Sequence, residues 1–379
     1  MNGDHPVKTA APPRPYARVT LRDIAERTGV AVSTVSRVLN PRERPWADAA
    51  LTRRIQDTAG ALGYRPNAHA RALAGGKTQT VYLVTRHSPF FMHATKVITF
   101  QHELDKLGRN VVVRDPGLHP ESSRVLDHLL ADAPEAVVFM LNVGLKPLGP
   151  ICRTLHAHGI RIVFMDYDQL PPVPRRVSAD FISVDRTHGA CLAVSHLIAR
   201  GHQRIGLLAD QRMAGRLEGY EQALREHGIT FRAIGWMASA APAAEQEIIG
   251  FLDKHPALTA VFCGSDSLAA GAMRGILRSG RRIPDDIAVV GFDGEPWTPY
   301  LPVPLTTVTQ PVAELCREAA DMLHKRLNAR KHDEPAPPWE SITVKPELVV
   351  RASSGVEKGF DTCRHPSILS IPSIGDRRR

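Results

Sequence analysis

The amino-acid sequence predicts an α/β protein with a small three-helix head at the N-terminus, followed by two doubly wound parallel sheets. Three observations support this prediction. The head segment carries two short bursts of apolar residues at helical spacing. From about Thr80 onward, short runs rich in Val, Ile and Leu alternate with amphipathic stretches, as in repeated strand-helix-strand units. The remaining length, roughly 270 residues, exceeds one such sheet, so we expect two sheets with a cleft between them.

Composition and charge describe a globular chain with a basic head. Hydrophobic residues make up 43% of the 379 residues and charged residues 23%, which is typical of globular proteins. The net charge is +9, and residues 1–76 hold 12 Lys and Arg against 6 Asp and Glu. A basic head on a nearly neutral body predicts a polyanionic partner for the head alone.

Several other protein classes find no support in the sequence. No apolar run approaches the roughly 20 residues that span a bilayer. Residues 1–18 are Pro-rich and polar and lack the apolar stretch of a signal peptide. The five cysteines contain no C-x-x-C pair, so neither a disulfide framework nor a zinc ribbon is indicated. We therefore expect a cytoplasmic protein without membrane partner, metal or cofactor, and a disordered extension over residues 1–18.

Residues 19–40 have the pattern of two helices joined by a short turn. Their apolar residues form two stripes, first on Leu21, Ile24 and Ala25, then on Val35, Val38 and Leu39. Thr20 and Asp23 have the spacing of a capping box, and Gly29 supplies the turn. A third helix over residues 48–62 would close the core of this helix-turn-helix head.

The second helix of the head exposes a polar face. At about 100° per residue, Ser33, Ser36 and Arg37 point away from the apolar stripe. A helix of this size fits the major groove of DNA, where Arg can bind guanine O6 and N7 and Ser can bind several base edges. The same pattern also fits two packed helices with a solvated outer face and no DNA partner. The next segment of the sequence helps to decide between these two interpretations.

Residues 63–76 read G-Y-R-P-N-A-H-A-R-A-L-A-G-G and contain one further, very short helix. Pro66 and Asn67 make a helix start, and Gly75 and Gly76 make an end. A helix of under two turns is unstable alone in water, so it needs a partner to fold. Leu73 is then left pointing outward, and such a side chain can wedge between base pairs from the minor groove.

The body contains eight candidate strands with polar residues at several of their ends. The strands are predicted at residues 81–84, 111–113, 136–141, 160–165, 181–184, 205–209, 260–263 and 287–292. Ligands bind in clefts beside the carboxyl ends of such strands. Asp166 follows one apolar run, Asp293 ends another, and Arg216 begins a helix after a loop. Two carboxylates and an Arg can bind ligand hydroxyls or pair with a charged group.

The chain closely resembles the lactose-repressor (LacI) family of transcriptional regulators. The matching segments are residues 19–40, 62–67 and 70–75 in the head and residues 196–206, 216–220, 264–273, 283–293 and 304–311 in the body. The resemblance implies a helix-turn-helix domain over 19–66, a hinge helix and linker over 67–78, and a periplasmic-binding-protein-like body over 79–354. The tail, 355–379, lies beyond the resemblance and is expected to be disordered.

The resemblance also implies partners and a division of the body. The partners are operator double-stranded DNA, a second copy of the chain in a homodimer, and a small-molecule effector. The N-subdomain is expected over residues 79–166 and 294–308, and the C-subdomain over residues 167–293 and 309–354. Three crossings of the chain would join them, with the effector held between.

DNA contacts are implied for residues of the head and hinge. The residues at the corresponding positions are Thr20, Val32, Ser33, Thr34, Ser36, Arg37, Asn40, Tyr64, Asn67, Ala70 and Leu73. Val32 and Ser33 hold the variable positions that set operator specificity in the family. Ala31 stands where relatives usually carry a Ser N-cap, a loss worth about 1 kcal/mol. The loop of residues 41–47 looks longer than usual.

Effector contacts are implied for residues of the body. The residues at the corresponding positions are Phe90, Asp166, Arg216, Ser265, Asp266, Asp293 and Gln310. Simpler roles stay open, because Asp266 could cap the helix that runs from Ser267, Asp293 could cap a strand end, and Phe90 could belong to the core. A sugar or sugar derivative is the favoured effector, and a purine is the alternative.

Catalytic motifs are missing from the sequence. The run from Gly76 to Thr78 is no phosphate-binding loop, because Arg71 stands where the first Gly of that motif belongs. We therefore predict a DNA-binding transcriptional repressor, not an enzyme, whose operator binding is controlled by the effector. The rival hypotheses are a corepressor-dependent repressor, an α/β sugar-acting enzyme with an accessory DNA-binding module, and a transport-associated binding protein.

Overall fold

The computed structural model describes most of the chain. The described residues are 19–39, 48–65, 79–86, 91–117, 122–140, 148–166, 179–238, 240–329 and 338–355. They fall into two compact units, Met1–Thr78 and Gln79–Arg379, which we call the head and the body. The predicted contacts Asn40, Asn67, Ala70, Leu73 and Phe90, the hinge helix, residues 1–18, the loop 41–47 and residues 356–379 lie outside the described residues.

The described residues of the head form three helices around a small apolar core. These are α1 (Leu21–Thr28), α2 (Val32–Val38) and α3 (Ala49–Ala61). The fully or nearly buried side chains are those of Ile24, Ala25, Val35, Ile55 and Ala59. The Asp23 carboxylate accepts hydrogen bonds from the Thr20 amide at 2.7 Å and the Thr20 hydroxyl at 2.9 Å. Gly29 ends α1 with a φ of 65°. The predicted helix-turn-helix is confirmed.

The described residues of the body form two sheets, each with six strands. The strands of the first are β1 (Thr80–Val84), β2 (Asn110–Arg114), β3 (Ala136–Met140), β4 (Arg161–Met165), β5 (Asp180–Val184) and β11 (Ser341–Val344). Those of the second are β6 (Ile205–Ala209), β7 (Ala233–Trp236), β8 (Ala260–Cys263), β9 (Ala288–Asp293), β10 (Thr306–Thr309) and β12 (Glu347–Val349). All eight predicted strands are present, within one residue at each end.

The two sheets have the same strand order. The first runs β2-β1-β3-β4-β5-β11 and the second β7-β6-β8-β9-β10-β12. All neighbouring strands are parallel except β12, which runs antiparallel to β10. This is the order of a doubly wound sheet, whose switch point lies between the first and third strands.

Helices cover both faces of each sheet, and each sheet with its helices is here called a lobe. The first lobe has α4 (Phe91–Lys106), α5 (Ser122–Asp132), α6 (Leu148–Ala157) and α11 (Val312–Ala329). The second has α7 (Arg186–Ala199), α8 (Ala214–Glu226), α9 (Ala241–Lys254) and α10 (Asp266–Arg278). Within the described residues, no helix is long and apolar enough to span a membrane.

The chain crosses between the lobes three times. The crossings lie at Asp185 between β5 and α7, at Gln310 between β10 and α11, and at residues 345–346 between β11 and β12. The predicted subdomain limits are therefore wrong. Strand β5 belongs to the first lobe and β10 to the second, and α11 and β11 return to the first. The sequence misled because the Thr-rich β10 and the largely exposed β11 have no continuous apolar run, so the strands beside the second and third crossings were not recognised.

Candidate functional site

Helix α2 is the candidate DNA-reading element of the head. Val35 packs into the head core and leaves Ser33, Ser36 and Arg37 exposed on the opposite face. Val32, at the start of α2, is 43% exposed and is therefore free to contact a partner molecule. Ala31 precedes the helix in an extended conformation without a side-chain cap. The predicted missing cap is confirmed.

The other predicted DNA contacts of the described head have different surroundings. Thr20 is exposed before α1, whereas Thr34 is half-buried in α2. Tyr64 packs against the head core, so its ring helps to hold the chain that leaves α3. The exposed polar face of α2 therefore lies opposite the side of the helix that packs in the head core.

In the body, one buried carboxylate follows β4. Asp166 has a φ of 59° and no exposed surface. Its Oδ2 accepts a hydrogen bond from Lys96 Nζ at 2.5 Å, and its Oδ1 accepts one from Arg186. Burial alone would raise the pKa of Asp166, but the charges of Arg186 and Lys96 outweigh it and hold the pKa below the ordinary value. We call these three residues the Asp166 cluster.

A second carboxylate ends β9. Asp293 has a φ of 122°, and its Oδ1 accepts hydrogen bonds from Arg216 at 3.2 Å and from the Gln310 amide at 2.7 Å. The Arg216 guanidinium also lies 4.4 Å from the ring centre of Phe292, a favourable cation–π distance. Burial raises the pKa of Asp293, although Arg216 and Lys96 oppose the shift.

A third carboxylate, Asp266, begins α10 and lies beside the second. It has no exposed surface and bonds to the Thr307 hydroxyl at 2.5 Å and to the Glu295 amide at 2.7 Å. Gly291 makes room for it, since a Cβ there would lie 2.3 Å from Asp266 Oδ1. Burial and the nearby Asp293 carboxylate raise the pKa of Asp266 well above its ordinary value. We call Asp266, Asp293 and Arg216 the Asp293 cluster.

The suggestion that Asp266 caps α10 is wrong. The cap is Ser265, whose hydroxyl accepts a hydrogen bond from the Leu268 amide at 3.2 Å. The Asp266 side chain points instead at Thr307 and Glu295. Ser265 therefore fixes the start of α10 and with it the position of the buried carboxylate.

Gln310 joins the two clusters at the second crossing of the chain. Its Oε1 accepts a hydrogen bond from Lys96 Nζ at 2.8 Å, while its Nε2 donates to Asp293. Four predicted effector contacts thus lie on one continuous polar chain that runs between the lobes. In order, the chain is Arg216, Asp293, Gln310, Lys96, Asp166 and Arg186.

Three members of the site were not predicted from the sequence: Lys96, Arg186 and Glu295. Lys96 lies on the same stripe of α4 as the buried Phe100 and Leu104, so a Lys among apolar residues at helical spacing was a usable signal. Arg186 begins α7, where a cation is unfavourable next to the helix dipole. Glu295 had no local signal.

The remaining reactive side chains do not form a second site in the described part of the chain. No group of three or more His, Cys, Asp or Glu residues there could hold a metal ion. Cys152, Cys191, Cys263 and Cys316 are free thiols. Burial raises the pKa of the Cys152 thiol to about 11, which keeps it protonated and unreactive near neutral pH.

A helix-turn-helix head and a two-lobed body with a polar chain at its strand ends define a ligand-responsive DNA-binding regulator. Residues 20–67 match the model for bacterial regulatory proteins of the lacI family, and residues 194–354 match that for a periplasmic binding protein-like domain. The transcriptional regulator GalR of Escherichia coli is 31% identical over 313 residues, which cover 80% of this chain and 88% of GalR. The chain belongs to the lacI family of bacterial regulatory proteins.

Solved structures agree with this assignment. The lac repressor dimer bound to operator and the anti-inducer ONPF has a TM-score of 0.75 and 25% identity, and the match covers 90% of this chain and all of that one. The complex of the transcriptional regulator CelR with cellobiose has a TM-score of 0.63 and 27% identity, covering 89% of this chain and all of that one. This protein is a DNA-binding transcriptional regulator with an effector-binding domain.

Proposed function

We propose that this regulator is a cytoplasmic, nucleoid-associated repressor that binds operator DNA as a homodimer and releases it when a small polar effector binds between its lobes. The observation that carries the effector half is the polar chain between the Asp166 and Asp293 clusters. It lies at the carboxyl ends of β4 and β9, where ligands bind in doubly wound folds. The cellobiose bound in the CelR structure favours a sugar or sugar derivative.

The proposed DNA contacts centre on the exposed face of α2. Arg37 supplies the bidentate donor for a guanine, and Ser33 and Ser36 supply adaptable hydroxyls. The exposed Val32 suits an apolar contact with a thymine methyl group. Operator preference then depends on α2, while the basic charge of the head supplies the sequence-independent part of the affinity.

The proposed effector contacts centre on the second lobe. The Asp293 side chain is 18% exposed, more than the carboxylates of Asp166 and Asp266, so it is the acceptor that a ligand meets first. Arg216 and Gln310, which already bond to it, supply the adjacent donors. Ligand hydroxyls can bond to all three, and this is how a polar ligand gains orientation in such a cleft.

Substitution of Arg37 tests the DNA half. Arg37→Ala should weaken binding to the selected operator by about 1–3 kcal/mol, because a bidentate base contact is lost, and should weaken non-specific binding much less. The matched control is Arg27→Ala, which removes the same charge from the last turn of α1. Fluorescence anisotropy with an operator obtained by in vitro selection measures both. Equal losses for the two variants would remove Arg37 from base reading.

A ligand screen tests the effector half. A sugar that occupies the cleft should raise the melting temperature by mass action and should lower the operator affinity in the same anisotropy assay. A purine that raises the melting temperature and tightens operator binding would make the protein a corepressor-dependent repressor instead. Turnover of the added sugar would support the enzyme hypothesis, which the regulator relatives disfavour.

A further inference from the structure

Lys96 is a buried cation of the first lobe that reaches into the second. Its residue surface is only 3% exposed, and its ammonium donates to Asp166 at 2.5 Å and to Gln310 at 2.8 Å. Burial of an ammonium is unfavourable unless its partners are well placed. Lys96 shares its buried stripe of α4 with the apolar Phe100 and Leu104, where an apolar side chain is the usual occupant. The polar contacts of Lys96 therefore call for a role other than packing.

The two acceptors of Lys96 belong to different lobes. Asp166 follows β4 of the first sheet, whereas Gln310 follows β10 of the second. Gln310 in turn donates a hydrogen bond from its Nε2 to Asp293, which ends β9. The Lys96 ammonium thus connects helix α4 of the first lobe to the second lobe by a hydrogen bond.

A second contact ties the beginning of α4 to the second lobe. The Met92 amide donates to Glu295 Oε1 at 2.9 Å, and Glu295 follows β9. Met92 is the second residue of α4, and the first four amides of a helix have no acceptor within the helix. Its protection from solvent therefore depends on contact between the lobes. Burial raises the pKa of Glu295, although the Met92 amide opposes the shift.

Helix α4 also rests on the element that begins at the second crossing. It packs against α11, which starts at Val312, two residues after Gln310. The Cys316 thiol donates to the backbone oxygen of Lys96 at 3.5 Å. Helix α4 is thus bonded to the second lobe at its first turn, through Glu295, and it packs along α11, which follows the second crossing. A displacement of the Lys96 side chain would therefore affect a helix that contacts both the second lobe and this crossing.

We infer that Lys96 is a positioning residue that holds the two lobes together while the cleft is empty, and that an effector must displace its ammonium to reach Asp166 and Gln310. This inference rests on the proposed function for the position of the effector. Lys96 acts as an internal competitor, because it occupies the acceptors that ligand hydroxyls would use. It thereby sets the effector concentration at which the repressor responds.

Amide hydrogen exchange of the unliganded full-length protein tests the inference without operator or effector. Lys96→Met should increase exchange at the Met92 amide, resolved by NMR, by about tenfold, which corresponds to about 1.4 kcal/mol. Exchange in the strands of both sheets should increase clearly less than exchange at Met92, because the strands report only the overall stability. The matched control is Lys106→Met on the same helix, whose surface ammonium pairs with Glu103 and should have no effect at Met92.

A second variant is needed in case Lys96→Met destabilises the whole protein. Gln310→Leu removes the same contact from the other lobe, and it should increase exchange at Met92 by a similar factor. The double variant should have less than the summed effect of the two single ones, because both remove the Lys96–Gln310 hydrogen bond. Unchanged Met92 exchange in a folded Lys96→Met or Gln310→Leu variant would overturn the inference, as would fully additive effects. A failure of operator binding would overturn the proposed function alone.

Discussion

The two lobes contain equivalent ion pairs in different surroundings. In each lobe, the helix after the first strand supplies a cation to a carboxylate at the end of the fourth strand. The pair is Lys96 and Asp166 in the first lobe and Arg216 and Asp293 in the second. Both Asp residues have positive φ values, 59° for Asp166 and 122° for Asp293. The first value lies in the left-handed region that Asp tolerates better than most residues, and the second lies beyond it, in a region that favours Gly. The equivalence follows from the shared strand order.

The neighbours of the two pairs differ in charge. Arg186 joins Asp166 as a second cation, whereas Asp266 lies beside Asp293 as a second acid. As a result, the pKa of Asp166 is lowered and those of Asp293 and Asp266 are raised. In the first pair, both carboxylate oxygens of Asp166 already accept hydrogen bonds from Lys96 and Arg186. The second retains carboxylates that an added hydrogen-bond donor would stabilise, which supports the proposal that the effector contacts centre on the second lobe.

The largest expected effect is the loss of the second-lobe cation. Arg216→Leu leaves Asp293 buried beside Asp266 without an ion-pair partner and should lower the free energy of unfolding by about 3–5 kcal/mol. Lys96→Met leaves Asp166 paired with Arg186 and should lower it by only about 1–2 kcal/mol. Urea denaturation of the two variants measures the difference. Equal losses would mean that the two pairs are equivalent in energy as well as in position.

A difference in pH dependence should separate the carboxylates. The raised pKa of Asp266 means that the folded state binds this proton more tightly than the unfolded chain does. The free energy of unfolding therefore falls as pH rises above about 4, the ordinary Asp value, until Asp266 ionises in the folded protein. Asp266→Asn should remove this contribution and give a shallower decline between about pH 5 and pH 8.

The control for that measurement is Asp166→Asn. Because the pKa of Asp166 is lowered, this carboxyl is ionised in both folded and unfolded chains above about pH 5. The variant should lose stability by the same amount across the range, without a change in slope. Urea denaturation at several pH values measures both variants. A change of slope in Asp166→Asn would contradict the assignment of the two carboxylates.

The smallest expected effect concerns the start of α4. Glu295→Gln keeps an acceptor for the Met92 amide but removes the negative charge next to a helix N-terminus. The loss should be about 0.5–1 kcal/mol, the usual strength of a charge–dipole interaction. Glu318→Gln, which removes a surface charge paired with Arg317, should change the stability less. A gain in stability in Glu295→Gln would show that burial of this charge outweighs its contact.

Local patterns predicted the head and the strands of the body well. The apolar stripes around Ile24 and Val35 and the turn at Gly29 depend on neighbouring residues alone, and each is found as expected. The same holds for the strand ends at Asp166 and Asp293. Parallel strands with continuous apolar runs and short polar turns are recognisable because both signals are local.

Long-range pairing was not predictable in the same way. Lys96 is 70 residues from Asp166 and 214 residues from Gln310 along the chain, so no sequence window contains both partners. The sequence placed Asp166 among the residues open to a ligand, whereas its two oxygens are already engaged. The Thr-rich β10 and the short β11 and β12 also lacked the apolar runs that marked the other strands.

The three crossings between the lobes have a mechanical consequence. A single linker would leave two rigid bodies free to rotate about several axes. Here three adjacent segments, at Asp185, Gln310 and residues 345–346, together form one hinge. They restrict the relative motion of the lobes to a narrow range of directions. Because neither lobe is a contiguous stretch of chain, cleavage at one crossing would leave the two lobes joined through the other two.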